Sequence, residues 1–247
     1  MIVLGIDPSL TNYGWAVHDT SAVGLPRCIA RGRFRTSARM LFVSRYIEMR
    51  ESLRTLAREH KPDKVGLEFP VFGNLFSEGM YGLFLYTCEA LYTEGCDVVF
   101  WSPLQAKAHA RESLERPKGW VMMKPDMVEA AKADTGFKGT WNHNEADAYL
   151  IARLSGRFWD FLGGTIPEES LTKIERKYFT EVKTFERGKR VGETVQRGVM
   201  YREDERFFMW SQIEAGVQDG DESSGEGPTE DGEAGIGTGG RQENPEE

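Results

Sequence analysis

The sequence contains little cysteine and no long apolar run. Only three cysteines occur among its 247 residues, and none belongs to a Cys-x-x-Cys pair, so Cys28, Cys88 and Cys96 are expected to be free thiols in a reducing compartment. No apolar stretch approaches 18 residues, which argues against a membrane span. No basic segment precedes a hydrophobic one at the N-terminus, which argues against a signal peptide. Together these absences indicate the cytoplasm.

Negative charge is concentrated at the C-terminus. The formal net charge is −8, but residues 216–247 alone hold ten acidic residues and one arginine. The preceding residues hold 30 basic and 29 acidic side chains, so the part that is expected to fold is nearly neutral. Such a domain still binds nucleic acid where its Lys and Arg side chains cluster, because affinity follows local phosphate contacts.

Hydrophobic patterning predicts an α/β fold. Short apolar runs predict strands at 2–6, 13–18, 28–35, 64–69 and 97–101, with the first three joined as an antiparallel meander. Amphipathic stretches predict helices at 38–60, 76–95, 124–135 and 144–162, with Asn144 as the N-terminal cap of the last, and a further helix opening at Pro103. This order predicts a mixed five-stranded sheet with helices on both faces over residues 1–162.

The chain changes character after residue 162. Residues 163–215 are rich in Arg and Lys and predict a basic extension packed on the main domain, helical at 168–183 and with short strand-like pieces at 184–210. Residues 216–247 are rich in Gly, Glu, Asp and Ser and cannot bury apolar surface. We therefore expect a disordered acidic tail there.

Three acidic residues lie where strands end or a helix begins. Asp7 ends the first strand in GIDPSLTNYGWAV, Glu68 lies in KVGLEF, and Asp147 lies one turn into the helix HNEADAYLIARL. Each alone is typical of a turn or cap residue. Neighbouring strands lie about 4.8 Å apart, so strand-end carboxylates can converge, and a buried charge has to be paired or to bind metal. Carboxylate oxygens are preferred ligands of Mg²⁺, and two Mg²⁺ ions can activate a water molecule that attacks a phosphodiester bond.

These three motifs resemble the RuvC family of Holliday-junction resolvases over about residues 1–160, and a phage-encoded branch of it in particular. The resemblance implies the RNase H-like fold and an endonuclease that cleaves branched DNA by attack of a metal-activated water. It implies that Asp7, Glu68 and Asp147 hold two Mg²⁺ or Mn²⁺ ions, with no organic cofactor.

The resemblance also implies a homodimer, because two symmetric cuts need two sites. Helix 76–95 is the expected interface, although a helix buried within one subunit would show the same apolar stripe. That stripe consists of Met80, Leu83, Phe84, Thr87, Cys88 and Leu91.

The fourth metal ligand departs from the family pattern. The family has an acid, or sometimes a histidine, three residues before the last aspartate, where this chain has Asn144. The candidates are Asn144 through its carbonyl, Glu145 and His143. In a regular helix Glu145 points about 200° away from Asp147, and it equally suits a first-turn acid favoured by the helix dipole. His143 equally suits a solvated loop.

Basic residues supply further candidates. Lys107 and Lys124 match the family's basic residues near the scissile phosphate, where they would neutralise developing charge, and solvated helix lysines are the alternative. In the extension, Arg187, Lys189 and Arg190 are candidate phosphate contacts, with a solvated face as the alternative.

The stretch FPVFGNLF directly follows Glu68. It matches the family's loop that wedges the unpaired bases of a junction, and it makes Phe69, Phe72 and Asn74 candidate DNA contacts. Core packing is the alternative for the aromatic rings, and Phe72, which is followed by Gly73, is the one expected to be exposed.

Three other functions compete with junction cleavage. Sugar kinases and actin-like ATPases also begin with an apolar strand and a GIDxG motif, but this chain has Pro8 and Ser9 where those proteins bind phosphate through Gly and Thr. A protein that binds branched DNA without cutting it is supported only by Asn144. A nuclease of the same fold acting on flaps, forks or RNA would use the same acids.

Overall fold

The computed structural model describes residues 1–22, 27–70, 78–117, 119–180, 182–184, 194–196, 200–203 and 206–209. In chain order the strands are β1 Ile2–Asp7, β2 Asn12–Asp19, β3 Cys28–Arg35, β4 Lys64–Glu68, β5 Val98–Trp101, β6 Val182–Thr184, β7 Thr194–Gln196, β8 Met200–Glu203 and β9 Arg206–Met209. The helices are α1 Phe42–His60, α2 Glu78–Thr93, α3 Pro103–Ser113, α4 Lys124–Thr135, α5 His143–Leu162 and α6 Lys173–Phe179. Contacts divide the chain into Met1–Ala215 and Gly216–Glu247. The second unit, with the predicted acidic tail, lies outside the described residues.

All five predicted strands are present in the main sheet, which also contains two further strands. The strands β1, β2 and β3 form the antiparallel meander, and β4 and β5 run parallel to β1. In the described residues the sheet has seven strands in the order β3-β2-β1-β4-β5-β8-β9. The extra strands come from the C-terminal extension, where β8 pairs antiparallel with β5. The extension therefore continues the sheet and covers the edge that β5 would otherwise expose.

Helices cover both faces of the sheet, as predicted. Leu4 and Ile6 of β1 pack in one apolar cluster with buried residues of α1 and α2. The intervening Gly5 faces α5, because side-chain directions alternate along a strand. A Cβ atom added at Gly5 would lie 2.0 Å from the backbone oxygen of Ala148, and one at Gly14 would lie 2.2 Å from that of Asn144. These two glycines thus let α5 lie directly on β1 and β2.

Several predicted boundaries were wrong. Helix α5 begins at His143, and Asn142 rather than Asn144 caps it, because the Asn142 side chain accepts a hydrogen bond from the Asn144 backbone N–H. The helix predicted at 168–183 is a 3-10 turn at Glu168–Ser170 followed by the short helix α6. Helix α1 begins at Phe42, four residues later than predicted, after a turn at residues 38–40.

The apolar stripe of α2 is part of the core. Leu83, Thr87, Cys88 and Leu91 are all buried, and α2 packs against α1. The prediction that this stripe forms a subunit interface was therefore wrong, because the stripe is covered within the chain. The three cysteines are free, as expected. Among the described helices, none is long and apolar enough to cross a membrane.

A buried charged network attaches α6 to the rest of the domain. Glu175 of α6 is 1% exposed. Its Oε1 atom lies 3.2 Å from His109 Nε2 of α3 and 2.9 Å from Arg157 Nε of α5. Burial opposes ionisation, yet the hydrogen bonds from His109 and Arg157 hold the pKa of Glu175 well below its usual range. The network therefore joins three helices through one ionised carboxylate.

We expect Glu175→Ala to lower the free energy of unfolding by about 3 kcal/mol, because it leaves the Arg157 charge and the buried His109 without their partner. The urea midpoint measures this loss. Glu169→Ala, which removes an exposed acid within the 3-10 turn, is the control and should change stability by less than about 0.5 kcal/mol. Equal effects of the two substitutions would contradict the network's role.

Candidate active site

Two of the three predicted acids lie side by side in one row across the sheet. Asp7 of β1 is opposite Gly14 of β2, and Gly14 is opposite Arg33 of β3. On the other side of β1, the pairing of Ile6 with Leu67 places Glu68 beside Asp7. Residues directly opposite one another point to the same face of a sheet. Because Gly14 faces α5, the carboxylates of Asp7 and Glu68 also lie on the α5 face.

Helix α5 supplies the third acid. Asp147 lies in the second turn of α5, close to the end that contacts Gly14 through Asn144. The Oδ1 atom of Asp147 is buried and has no hydrogen-bond partner among the described residues. The tight packing that the glycines permit therefore brings Asp147 down onto the row that holds Asp7 and Glu68.

The pKa values show that the three acids act on one another. Burial, followed by the charges of Glu68 and Asp147, raises the pKa of Asp7 well above its usual value. Burial and the charge of Asp147 raise the pKa of Glu68 to about 7. Burial raises the pKa of Asp147 to about 6. Three carboxylates with raised pKa values in one place form a site that is electrostatically unstable without a cation.

The charges of both predicted lysines act on this site. The charges of Lys124 and Lys107 partly offset the raised pKa of Asp7 and that of Asp147. Lys124 is the first residue of α4, and its Nζ atom lies 3.3 Å from the Nε2 atom of His143. Lys107 lies in the second turn of α3. Both lysines are exposed, as solvated helix lysines would be, and both are near enough for their charges to act on the acids, so their role at the scissile phosphate stays a prediction.

The candidates for the fourth ligand separate in the structure. Both carboxylate oxygens of Glu145 are bound, one by Arg31 Nε and the other by Arg33 Nε, each at 3.2 Å. Glu145 therefore points at β3, and the prediction that it is a metal ligand was wrong. Asn144 is buried and donates its side-chain N–H to the backbone oxygen of Asn12, which ties α5 to β2.

His143 is the flanking candidate that stays near the acids. It lies four residues before Asp147, so both project from the same side of α5. Burial, together with the positive charges of Lys124 and Arg33, lowers its pKa, which favours a neutral imidazole. Its role as a ligand stays a prediction.

The residues present suit a hard divalent cation by their chemistry. Their donors are carboxylate oxygens, which Mg²⁺ and Mn²⁺ prefer, and Asp147 Oδ1 is buried without a partner. Among the described residues, no three His, Cys, Asp or Glu side chains already surround one point as metal ligands. Side-chain rotation would have to bring the three carboxylates to a shared ion.

Only some of the predicted DNA-contacting residues lie in the described part of the chain. The ring of Phe69 packs edge-on against Phe84 at 5.2 Å and Phe100 at 6.2 Å between centroids. Phe69 is half-buried and packs against the core, as its alternative interpretation had it, and its role as a DNA contact stays a prediction. The other candidates lie outside the described residues. They are Phe72, Asn74, Arg187, Lys189 and Arg190.

Sequence reasoning missed the arginines of β3. Arg31 and Arg33 hold Glu145, and the guanidinium of Arg31 also lies between the rings of Phe137 and Trp141, 4.2 Å and 4.1 Å from their centroids. The signal was present in CIARGRFR, where arginine recurs at every second position. In a strand that spacing puts all three arginines on one face.

The raised pKa values predict how the metal-free protein responds to pH. A carboxylate whose pKa is higher in the folded than in the unfolded state stabilises the fold at low pH, and this contribution is lost as pH rises through the folded pKa. Glu68, whose folded pKa is about 7, loses its proton near neutral pH only in the folded state, and the raised pKa of Asp7 acts in the same direction. Burial lowers the pKa of His18 to about 4 and also lowers the pKa of His109 and His143; their opposite contribution fades as pH rises above the unfolded-state pKa of about 6.5.

We therefore expect the urea midpoint, measured in EDTA, to fall between pH 6.5 and pH 8.5 by the equivalent of about 1 kcal/mol. Glu68→Gln removes one of the titrating groups and should flatten this slope, and Mg²⁺ should reduce it in the wild-type protein. A midpoint that rises over this interval would contradict the electrostatics of the site.

No protein-family model matches the chain, but comparison with individual proteins finds similar sequences and similar structures. The crossover junction endodeoxyribonuclease RuvC of Gloeobacter violaceus is 30% identical over 148 residues, which span 54% of this chain and 84% of that protein. The Thermus thermophilus RuvC structure aligns with a TM-score of 0.54 at 21% identity, covering 66% of this chain and 97% of its own. T. thermophilus RuvC in complex with a Holliday junction substrate gives 0.53 at 20% identity, covering 66% and 96%. These two structures share the fold of this chain.

Proposed function

The chain belongs to the RuvC family of crossover junction endodeoxyribonucleases, and on that premise we propose that this endodeoxyribonuclease cleaves Holliday junctions in a metal-dependent reaction. The observation that carries the proposal is the convergence of Asp7, Glu68 and Asp147 on one face of the sheet, where the charges of Lys107 and Lys124 act on them. Acids that repel one another are kept together at a cost in stability, which favours a catalytic role over a structural one.

Each residue has a distinct task in this proposal. Asp7, Glu68 and Asp147 would hold Mg²⁺ or Mn²⁺, and Asp147 Oδ1 has no competing partner among the described residues. Divalent cations at such a site supply an activated water and charge stabilisation on the phosphodiester. Lys124 and Lys107 would offset the negative charge that develops on the scissile phosphate. His143, a neutral imidazole beside Lys124, is the candidate for a fourth ligand.

The test is cleavage of a labelled four-way junction and a matched linear duplex by wild-type protein and Asp147→Asn, with Mg²⁺, Mn²⁺ or EDTA. Symmetric nicking of the junction alone, lost in EDTA and in the variant, is the expected result. Tight junction binding without cleavage under any metal would favour the alternative of a binding protein, since Asn144 occupies the position where the family has an acid. Preferential cleavage of flaps or forks would show that the substrate is different while the metal-dependent cleavage reaction is the one proposed.

A homodimer is part of the proposal, with an interface that keeps the predicted helix but uses its exposed face, together with α1, in place of the buried stripe. Helices α1 and α2 pack together and expose apolar side chains on the side away from the core. Val43 and Ile47 of α1 are 57% and 43% exposed, and Tyr81 and Leu85 of α2 are 44% and 47% exposed. Each pair is spaced four residues apart and therefore forms one helix face. A second copy of the chain is the occupant proposed for this surface.

We expect Ile47→Asp to convert the dimer into a monomer, because it would bury a charge in an apolar interface. Light scattering after size-exclusion chromatography measures the mass. Glu48→Gln, which changes the exposed residue that follows Ile47, is the control and should leave the mass unchanged. A monomeric wild-type protein at micromolar concentration would contradict the homodimer. The assignment to a phage-encoded branch and the cytoplasmic location stay predictions.

A further inference from the structure

The edge strand β3 carries three arginines on the α5 face, beside the row of acids. Arg33 is level with Asp7 and two strands away from it, which is a backbone separation of about 10 Å. Arg35 lies two residues further along β3, opposite Asn12. Because β3 runs parallel to β1, Arg35 lies beyond the row of acids, at the same open end of the sheet.

The charges at this edge are only partly neutralised. Glu145 binds Arg31 and Arg33 together, so these three residues keep a formal charge of +1. Arg35 is exposed, and the structure gives it no ion pair within the described part of the chain. The Nζ atom of Lys124 lies 3.3 Å from His143 Nε2, and the charges of both Lys124 and Arg33 reach His143. Positive charge therefore lies both at β3 and at Lys124, whose charge also acts on the acids.

We propose that Arg33 and Arg35 form a phosphate-binding surface, the β3 arginine edge, that holds the cleaved DNA strand next to its scissile phosphate. This inference rests on the proposed function. The separation of about 10 Å between Asp7 and Arg33 puts Arg33 within reach of a phosphate that neighbours the scissile one on the same strand. Glu145 holds the Arg33 side chain at a fixed position, so it is a positioning residue for this surface and not a metal ligand.

The competing explanation is that β3, as an exposed edge, carries charge to prevent further strands from adding to the sheet. The two explanations differ in their salt dependence. Each phosphate contact releases counterions and contributes about 0.9 to the slope of log Kobs against log salt concentration. Edge protection requires no DNA contact and predicts no change in that slope.

The experiment measures junction binding by fluorescence anisotropy between 50 and about 300 mM KCl, using the full chain with Asp7→Asn so that DNA is not cleaved. In this background Arg35→Ala should reduce the slope by about 0.9 and weaken binding at low salt by about three- to tenfold. Arg35→Lys should restore most of the slope. Arg58→Ala removes an exposed arginine of α1, on the opposite face of the sheet, and should leave the slope unchanged.

A charge-neutral pair of substitutions separates a phosphate contact from a general charge effect. Arg33→Gln combined with Glu145→Gln removes one charge of each sign, so the net charge stays the same. The proposal still expects the slope to fall by about 0.9, since a phosphate contact is lost. Matching thermal melting curves show that these variants fold.

The failures are distinguishable. If the Asp7→Asn protein binds the junction but neither Arg35→Ala nor the double variant changes the slope, the β3 arginine edge is overturned and the proposed function stands. If the Asp7→Asn protein binds no DNA at any salt concentration, the β3 arginine edge and the proposed function are overturned together.

Discussion

Asp7→Asn is expected to reduce junction cleavage at least about 10³-fold, equivalent to about 4 kcal/mol of transition-state stabilisation, while junction binding persists. Asp7 lies at the centre of the row, between Gly14 on β2 and Glu68 on β4. It is also the acid on which both other carboxylates and both lysines act. Replacing it removes one ligand charge and leaves the shape of the side chain almost unchanged.

The same substitution is expected to raise stability. Burial and the neighbouring charges raise the pKa of Asp7, which means that ionised Asp7 destabilises the folded state at neutral pH. In EDTA at pH 8 we expect the melting temperature of Asp7→Asn to rise by roughly 2–4 °C for each kcal/mol of relieved repulsion. Loss of activity with gain of stability is the signature of a residue kept for function.

Asp160→Asn is the matched control for this experiment. Asp160 lies on α5 as Asp147 does, and burial also raises its pKa, but it is 13 residues further along, about 20 Å away. We expect its substitution to leave cleavage within about twofold of wild type. Full cleavage by Asp7→Asn, or an equal loss in Asp160→Asn, would contradict the assignment of the site.

The elements around the acids could be predicted because each carries a local signal. The strands that end at Asp7 and Glu68 are short β-branched runs, and α4 was predicted with both of its boundaries, since Pro125 and Gly136 mark its first turn and its end. The failures occurred where tertiary contacts decide. The stripe on α2 has the same periodicity whether it meets another subunit or its own core, and only the packed structure shows that it meets α1 and the sheet.

The fourth ligand illustrates the same limit within the site. Spacing along α5 shows that Glu145 and Asp147 point in different directions, but it cannot show what Glu145 meets. Its partners Arg31 and Arg33 are more than 110 residues away in sequence, and the alternation of arginine in β3 was visible without indicating which helix would cover it. The extension shows the same limit: short strands were predicted at 184–210 and strands occur there, but the pairing of β8 with β5 was not predicted, because it depends on an edge that only the folded sheet exposes.

Gly5→Ala is expected to have the second-largest effect, although Gly5 has no functional group. Its added Cβ atom would lie 2.0 Å from the backbone oxygen of Ala148, 2.5 Å from the backbone nitrogen of Ala152 and 2.8 Å from the Ala152 Cβ atom. Backbone atoms of a buried helix cannot move aside one at a time, so α5 has to shift away from the sheet. We expect a loss of about 3 kcal/mol in unfolding free energy, and a fall in melting temperature of roughly 6–12 °C.

The shift of α5 should also reduce the rate of cleavage. Asp147 is one residue before Ala148, so α5 cannot retreat from Gly5 without carrying Asp147 away from Asp7. A displacement of about 1 Å is enough to reduce cleavage about 10²-fold. Cleavage measured at 20 °C, where the variant remains folded by circular dichroism, separates this effect from unfolding.

Gly79→Ala in α2 is the control substitution, because its Cβ atom would meet only the ends of the Phe42 and Leu10 side chains, at 3.0 and 3.1 Å. Those side chains can rotate, and alanine is favoured over glycine in a helix by about 0.5–1 kcal/mol. We therefore expect equal or higher stability and unchanged cleavage. If Gly5→Ala were as stable and as active as Gly79→Ala, close packing of α5 on β1 would not be what assembles the acids, and the geometry proposed for the site would be wrong.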